Sequence, residues 1–273
     1  MTIGIIANPT RDIGLAFAKE IAEWLQSRGH TPLFEEEEAY QSKFLIVLGG
    51  DGTMLQASQR AARYGTPMLG INLGTLGYLT DVDQHEGLQA IEKMLNGDFR
   101  REERIMLEVE GELALNDVFI RREDSAKLMN FRICVNGDHM DTLGADGVIV
   151  STPTGSTAYN LSAGGPILQP NSEMMVITAV CPHTLYSRPW VISKYDKVSL
   201  TPVKNDEGLA AVYLDGVAKF FLKCGETIVV QVSDYKASVV KTANIDFFEV
   251  LRKKMGANEG TETGKNFRNS ERT

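Results

Sequence analysis

Along its first third the chain alternates two hydrophobic textures. Short continuous apolar runs, Ile3 to Ala7, Phe44 to Leu48 and Pro67 to Asn72, predict strands buried on both faces. Between them Leu15, Ala18, Ile21, Ala22 and Leu25 recur at helical spacing and stop at Gly29. Further helical patterns run from Met54 to Tyr64 and from Leu88 to Leu95. Strands alternating with helices predict a parallel, Rossmann-like α/β sheet with ligands at the C-terminal ends of its strands, where Asp51 and Asn72 fall.

After about residue 96 the texture becomes short, β-rich runs separated by Gly, Asn, Asp and Pro: Leu107 to Val109, Ala114 to Ile120, Phe131 to Val135, Gly147 to Val150, Met175 to Val180, Lys197 to Leu200, Ala211 to Leu214 and Thr227 to Val232. They predict an all-β sandwich. Ile245 to Met255 returns to helical spacing, and the polar residues beyond it predict disorder. The expected organisation is an α/β domain over 1–95, a β-sandwich over 96–242, a C-terminal helix within 243–256 and a disordered tail over 257–273.

Composition sharpens this picture. With 43% hydrophobic and 23% charged residues in 273, a packed core is expected. A net charge of −8 argues against nucleic acid or an anionic membrane as partner, so an anionic substrate must be met by local cations and backbone N–H groups. The acidic run Glu35 to Glu38 predicts a solvated loop. Three scattered cysteines, Cys134, Cys181 and Cys224, predict reduced thiols, and no zinc-binding spacing is present. The N-terminal apolar run is too short for a signal peptide, and no run approaches a membrane span. A cytoplasmic protein is expected.

The candidate chemistry starts at Gly49-Gly50-Asp51-Gly52-Thr53, which joins a buried strand to a helix. Glycines let backbone N–H groups approach an anion, and a helix N-terminus adds its dipole. A carboxylate in such a cradle repels phosphate unless it meets a metal ion or takes a proton from an attacking hydroxyl. The loop lacks the Gly-Lys-Ser/Thr of a Walker A motif. It is similar to the loop shared by NAD kinases, diacylglycerol- or sphingosine-type lipid kinases and 6-phosphofructokinases, and alone does not choose among them.

A second cluster spans Asp146 to Pro166. Here a strand runs into small hydroxyl residues, Thr152, Thr154, Ser156, Thr157 and Ser162, with Tyr159 offering a flat face to a purine. Together with the glycine loop, Ala114-Leu115-Asn116-Asp117 and the block Pro182 to Pro189, this segment resembles the bacterial NAD kinase family over nearly the whole chain.

The resemblance implies an α/β domain, a β-sandwich and a last helix that returns to the first domain. It implies ATP and NAD as substrates, Mg²⁺ held mainly by the ATP phosphates with no metal ligands from the protein, and a homodimer or homotetramer. By position it implies Asp51 as general base toward the 2′-hydroxyl of the adenosine ribose. Gly50, Gly52, Thr53 and Asn72 fall beside it. Asn116 and Asp117 match a pair that holds NAD hydroxyl and amide groups, the second being Glu in the family pattern. Asp146 matches a carboxylate near the adenine or its ribose, and Thr157, Ala158, Tyr159, Asn160, Leu161 and Ser162 match the adenine pocket. Two positions depart from the pattern: Gly144 replaces an arginine and Val217 a glutamine. Lys127 is the candidate replacement cation.

Two alternatives stand beside this reading, a diacylglycerol-type lipid kinase and a non-catalytic NAD(P)-sensing module. Trp24 and Trp190 are expected to pack in the two domains, Arg188 to serve as an ion-pair partner, and His183 to hold a loop or touch substrate.

Overall fold

The computed structural model describes residues 1–34, 37–74, 77–80, 82–123, 129–203, 208–242 and 246–256. The first part follows the order β1 (Thr2–Ala7), α1 (Ala16–Ser27), β2 (Thr31–Phe34), α2 (Glu37–Tyr40), β3 (Phe44–Gly49), α3 (Asp51–Tyr64), β4 (Met68–Asn72), β5 (Val82–Asp83) and α4 (Gly87–Leu95). The second part contains β6 (Arg100–Val109), β7 (Glu112–Ala114), β8 (Asp117–Arg122), β9 (Met129–Val135), β10 (Asp138–Ala145), β11 (Gly147–Ser151) and the short helix α5 (Tyr159–Ser162). It continues with β12 (Met174–Val180), β13 (Trp190–Ser193), β14 (Val198–Val203), β15 (Ala210–Leu214), β16 (Val217–Leu222), β17 (Ile228–Lys241) and α6 (Phe247–Lys254).

The first five strands are parallel, in the order β5-β4-β3-β1-β2. Helices cover both faces of β3. Ile46 and Leu48 face α1 and α4 with Phe17, Ile21, Leu25 and Ile91, whereas Leu45 and Val47 face α3 with Met54, Ala57 and Ala61. Burial on both sides explains why this strand reads as an unbroken apolar run.

The sandwich is also present. The antiparallel sheet β13-β12-β11-β8-β15-β16 packs on β10-β9-β14 and the start of β17. Val118, Ile120, Val148, Val150 and Val212 from one layer interleave with Phe131, Ile133, Val198, Leu200 and Val230 from the other. Three hairpins turn on residue pairs with both φ angles positive: Glu110-Gly111, Asn136-Gly137 and Asp215-Gly216. Such turns match the right-handed twist of their strands and favour glycine in the second position.

One strand belongs to both layers of organisation. β17 pairs with β14 through Ile228 to Val230, and through Lys236 to Lys241 with β6, touching β4 at Val239. The parallel sheet and one sandwich sheet are therefore a single eleven-stranded surface.

Several expectations need correcting. Glu37 and Glu38 open the helix α2 rather than a loop, and Glu37 pairs with Arg60 and Tyr64 of α3; Glu35 and Glu36 lie outside the described residues. Trp190 is 53% exposed on the edge strand β13, whereas Trp24 does pack against the core beneath Arg28. Arg188 bonds the carbonyls of Leu185 and Ser187 and has no ion pair among the described residues. The residues expected to form the tail, 257–273, lie outside the described residues.

Candidate active site

Asp51 is the first residue of α3, capped by Gly50. Its placement is enforced from the turn that follows β4. Oδ2 accepts from the Tyr78 amide at 2.9 Å, while Oδ1 accepts from the Leu79 amide at 3.0 Å and from the Thr80 amide and hydroxyl at 3.3 Å each. A carboxylate oxygen has two lone pairs. Oδ1 is crowded and Oδ2 has one donor, so Oδ2 is the atom with room for a substrate hydroxyl. Gly77 makes this clasp possible, since a Cβ there would sit 2.0 Å from Asp51 Oδ1.

The surrounding predicted residues take distinct positions. Thr53 Oγ1 receives Asn8 Nδ2 at 3.4 Å, and Gly52 lies in the first turn of α3 with open space beside it. Asn72 ends β4, 3% exposed, with Oδ1 accepting from the Gly74 amide at 3.0 Å. Lys127 lies outside the described residues.

Tyr78 and Leu79, fixed by Asp51 on one side, line a cavity of about 410 Å³ on the other. Thr154 and Thr157 line it too, as do Phe247 and Val250 of α6. Arg100, Arg101, Arg104 and Lys241 also border it, with Glu102 and Glu103 interleaved. Lys241 Nζ donates to the Leu79 carbonyl at 3.4 Å. These cations carried no sequence motif; the only signal was the charged start of a β-run, Arg100 to Arg104.

Asn116 and Asp117 are built by a residue not singled out for this role, Asp215. From the β15–β16 turn its Oδ1 accepts the Asn116 amide at 2.7 Å and the Asp117 amide at 3.2 Å. Its Oδ2 accepts the Leu115 amide at 2.8 Å and Gln59 Nε2 of α3 at 3.4 Å. The helix that starts with Asp51 is thus tied to the strand that starts with Asp117. Burial, and then the neighbouring Asp215 carboxylate, push the Asp117 carboxyl up to about 7. Burial raises Asp215 as well, against the opposing backbone amides.

The 146–166 segment divides its labour. Gly155 packs on the Asn116 carbonyl so closely that a Cβ would lie 2.1 Å from it. Tyr159 stands edge-on to Phe119, ring centroids 5.1 Å apart, and is 42% exposed. Desolvation raises its hydroxyl, and Cys181, Asp146 and Asp117 add to that while Arg121 opposes it. Asp146 is exposed and Ala158 and Leu161 are half-buried, with Ser162 exposed at the end of α5. Asn160 turns inward instead. Its Nδ2 donates to the Ser156 and Pro166 carbonyls, both at 3.2 Å, and its Oδ1 accepts from Thr178 at 2.7 Å. That amide holds the loop's shape and has no face left for a base.

His183 bonds the Gly144 carbonyl through its backbone amide, so its block closes onto β10. Among the described residues no cluster of three His, Cys, Asp or Glu could hold a metal ion.

A carboxylate at the mouth of a glycine-opened helix, beside a cavity walled by hydroxyls, an aromatic ring and cations, defines a phosphotransferase-like nucleotide site between an α/β layer and a β-sandwich. Residues 30–99 match the model of the ATP-NAD kinase N-terminal domain, and residues 115–242 that of the ATP-NAD kinase C-terminal domain. An NAD kinase from Caldanaerobacter subterraneus subsp. tengcongensis is 38% identical over 93% of this chain and 98% of its own. One from Geotalea daltonii is 39% identical over 88% and 93%. Yeast NADH kinase, solved with NADH, superposes with a TM-score of 0.81 at 25% identity over 97% of this chain and 90% of that one. An NAD kinase from Archaeoglobus fulgidus, solved with ATP, gives 0.80 at 26% identity over 95% and 100%. The chain belongs to the NAD kinase family. Neither the lipid-kinase nor the sensor alternative finds support in these relatives.

Proposed function

We propose that the chain transfers the γ-phosphoryl group of ATP to the 2′-hydroxyl of the adenosine ribose of NAD, giving NADP and ADP. The observation that carries this reading is the posture of Asp51, clasped by residues 78–80 with Oδ2 open toward substrate. As the ribose oxygen forms its bond to the γ-phosphorus, its proton passes to Oδ2. The bond from the γ-phosphorus to the bridging oxygen breaks, and ADP leaves with that electron pair. Positioning and charge neutralisation supply the larger part of the rate.

Mg²⁺ enters as part of the ATP complex and offsets phosphate charge. Tyr159, Asp117 and Asp146 recognise the adenosine half of NAD, with Ala158, Leu161 and Ser162 around it. Asn116 and Thr157 contact the same substrate. The protein acts in the cytoplasm as a homodimer or homotetramer. The exposed edge residues Trp190 and Val191 of β13 support such pairing.

The test is NADP formation from NAD, ATP and Mg²⁺, read through an NADP-specific dehydrogenase. Asp51→Asn is expected to lose several orders of magnitude in kcat while NAD still binds by calorimetry. Near-normal turnover in that variant would remove the general-base role.

A further inference from the structure

We propose that Arg11 is the cation that grips the phosphate oxygens of the phosphoryl donor, a contact resting on the kinase reading above. The geometry comes from strand order. β3 lies between β1 and β4, and Arg11 follows the end of β1. Its guanidinium nevertheless reaches the loop beyond β4, where a Cβ on Gly74 would sit 2.6 Å from Nη1 and 3.6 Å from Cζ. A side chain that joins those two exits crosses in front of the exit between them, which is Gly49-Gly50-Asp51.

The loop that carries Arg11 is built to hold it there. The Asn8 amide donates to the Leu48 carbonyl at 2.8 Å, and the Arg11 amide to the Asn8 carbonyl at 3.0 Å. Asn8 Oδ1 takes the Thr10 amide and hydroxyl, and Asn8 Nδ2 reaches Thr53 Oγ1 at the start of α3. The next residue, Asp12, is buried and accepts from the Phe17 and Ala18 amides at 3.0 and 2.9 Å. Backbone on both sides of Arg11 is therefore pinned to the sheet edge, while the guanidinium itself has no ion pair among the described residues.

A second observation points to a ligand at the same edge. Asn72, 3% exposed, has no hydrogen-bond partner for Nδ2 among the described residues, although Oδ1 is engaged by the Gly74 amide. An unpaired buried donor is destabilising, and an anionic oxygen would remove that penalty. The N-terminal dipole of α3 points to the same place. A chain of net charge −8 repels a triphosphate at long range, so the charge has to be met at close quarters. Guanidinium is suited to that contact, because its planar fork matches phosphate oxygens two at a time.

The experiment compares wild type with Arg11→Met and Arg11→Lys, varying ATP at saturating NAD and NAD at saturating ATP, with Mg²⁺ throughout. For Arg11→Met the KM for ATP is expected to rise about tenfold or more, the KM for NAD to stay within about twofold, and the melting temperature to hold. Arg11→Lys should fall between the two. An unchanged KM for ATP, or both KM values rising together with a lower melting temperature, would overturn the assignment. Should wild type not turn over, the kinase reading fails by itself. Calorimetry with ATP and Mg²⁺ then still decides on Arg11, since equal affinity of wild type and Arg11→Met would refute the contact.

Discussion

At the scale of single residues, the site depends on one glycine with no glycine-specific backbone angle. Gly77 is required because Asp51 Oδ1 occupies the space of its missing side chain. Gly77→Ala should push the carboxylate off its three amides. A shift of about 1 Å at a reacting group costs on the order of 100-fold in rate. Steady-state kinetics should show that loss in kcat with NAD affinity nearly intact; a fully active variant would mean that the turn yields harmlessly. Asp51, Asn116, Asp117 and Tyr159 stood out in the sequence as candidates because each sits in a motif of small neighbours. The groups that orient them were not. The amides of Tyr78 to Thr80 have no side-chain signature, and Asp215, 98 residues from Asp117, meets it only through the pairing of β15 with β8. Asn160, a motif residue expected at the adenine pocket, spends its amide on bonds inside the loop.

At the scale of elements, the β15–β16 turn and the start of β8 bring two carboxylates together with no ion pair to either among the described residues. A carboxyl whose folded value is raised stabilises the fold at low pH, and this contribution is lost as pH climbs through about 7. Asp117→Asn removes that titration. The variant should therefore gain in melting temperature relative to wild type at pH 8, with the gain shrinking by pH 5.5. A difference that is flat with pH would show that Asp117 titrates normally. The elements themselves followed from hydrophobic pattern where burial is two-sided or strictly alternating. Thr31–Phe34, Asp138–Ala145, Trp190–Ser193 and Val217–Leu222 were not legible because they are edge strands with largely exposed or half-exposed residues. The turns Asn136-Gly137 and Asp215-Gly216 were the available signal for two of them.

At the scale of the whole molecule, the division into an α/β layer and a sandwich was legible from the change of texture near residue 96, but the strand that crosses it was not. Thr227 to Val232 reads as one short strand because Ser233, Asp234, Tyr235 and Lys236 interrupt the apolar pattern. The register with β6 shifts in that same stretch, and pairing resumes to Lys241. Such a shared strand predicts one cooperative thermal transition by calorimetry; two separated transitions would show that the layers unfold independently. The same strand also sets the timing of folding during synthesis. Most of the neighbour that β6 requires, and the strand contact to β4 at Val239, lie in residues 236–241, so the first sheet has an open, hydrogen-bond-hungry edge while the intervening sandwich is still being translated. The earliest-made half of the protein is thus completed by nearly its last-made strand, and a ribosome that stalls before residue 236 would hold a nascent chain primed for chaperone capture or misassociation.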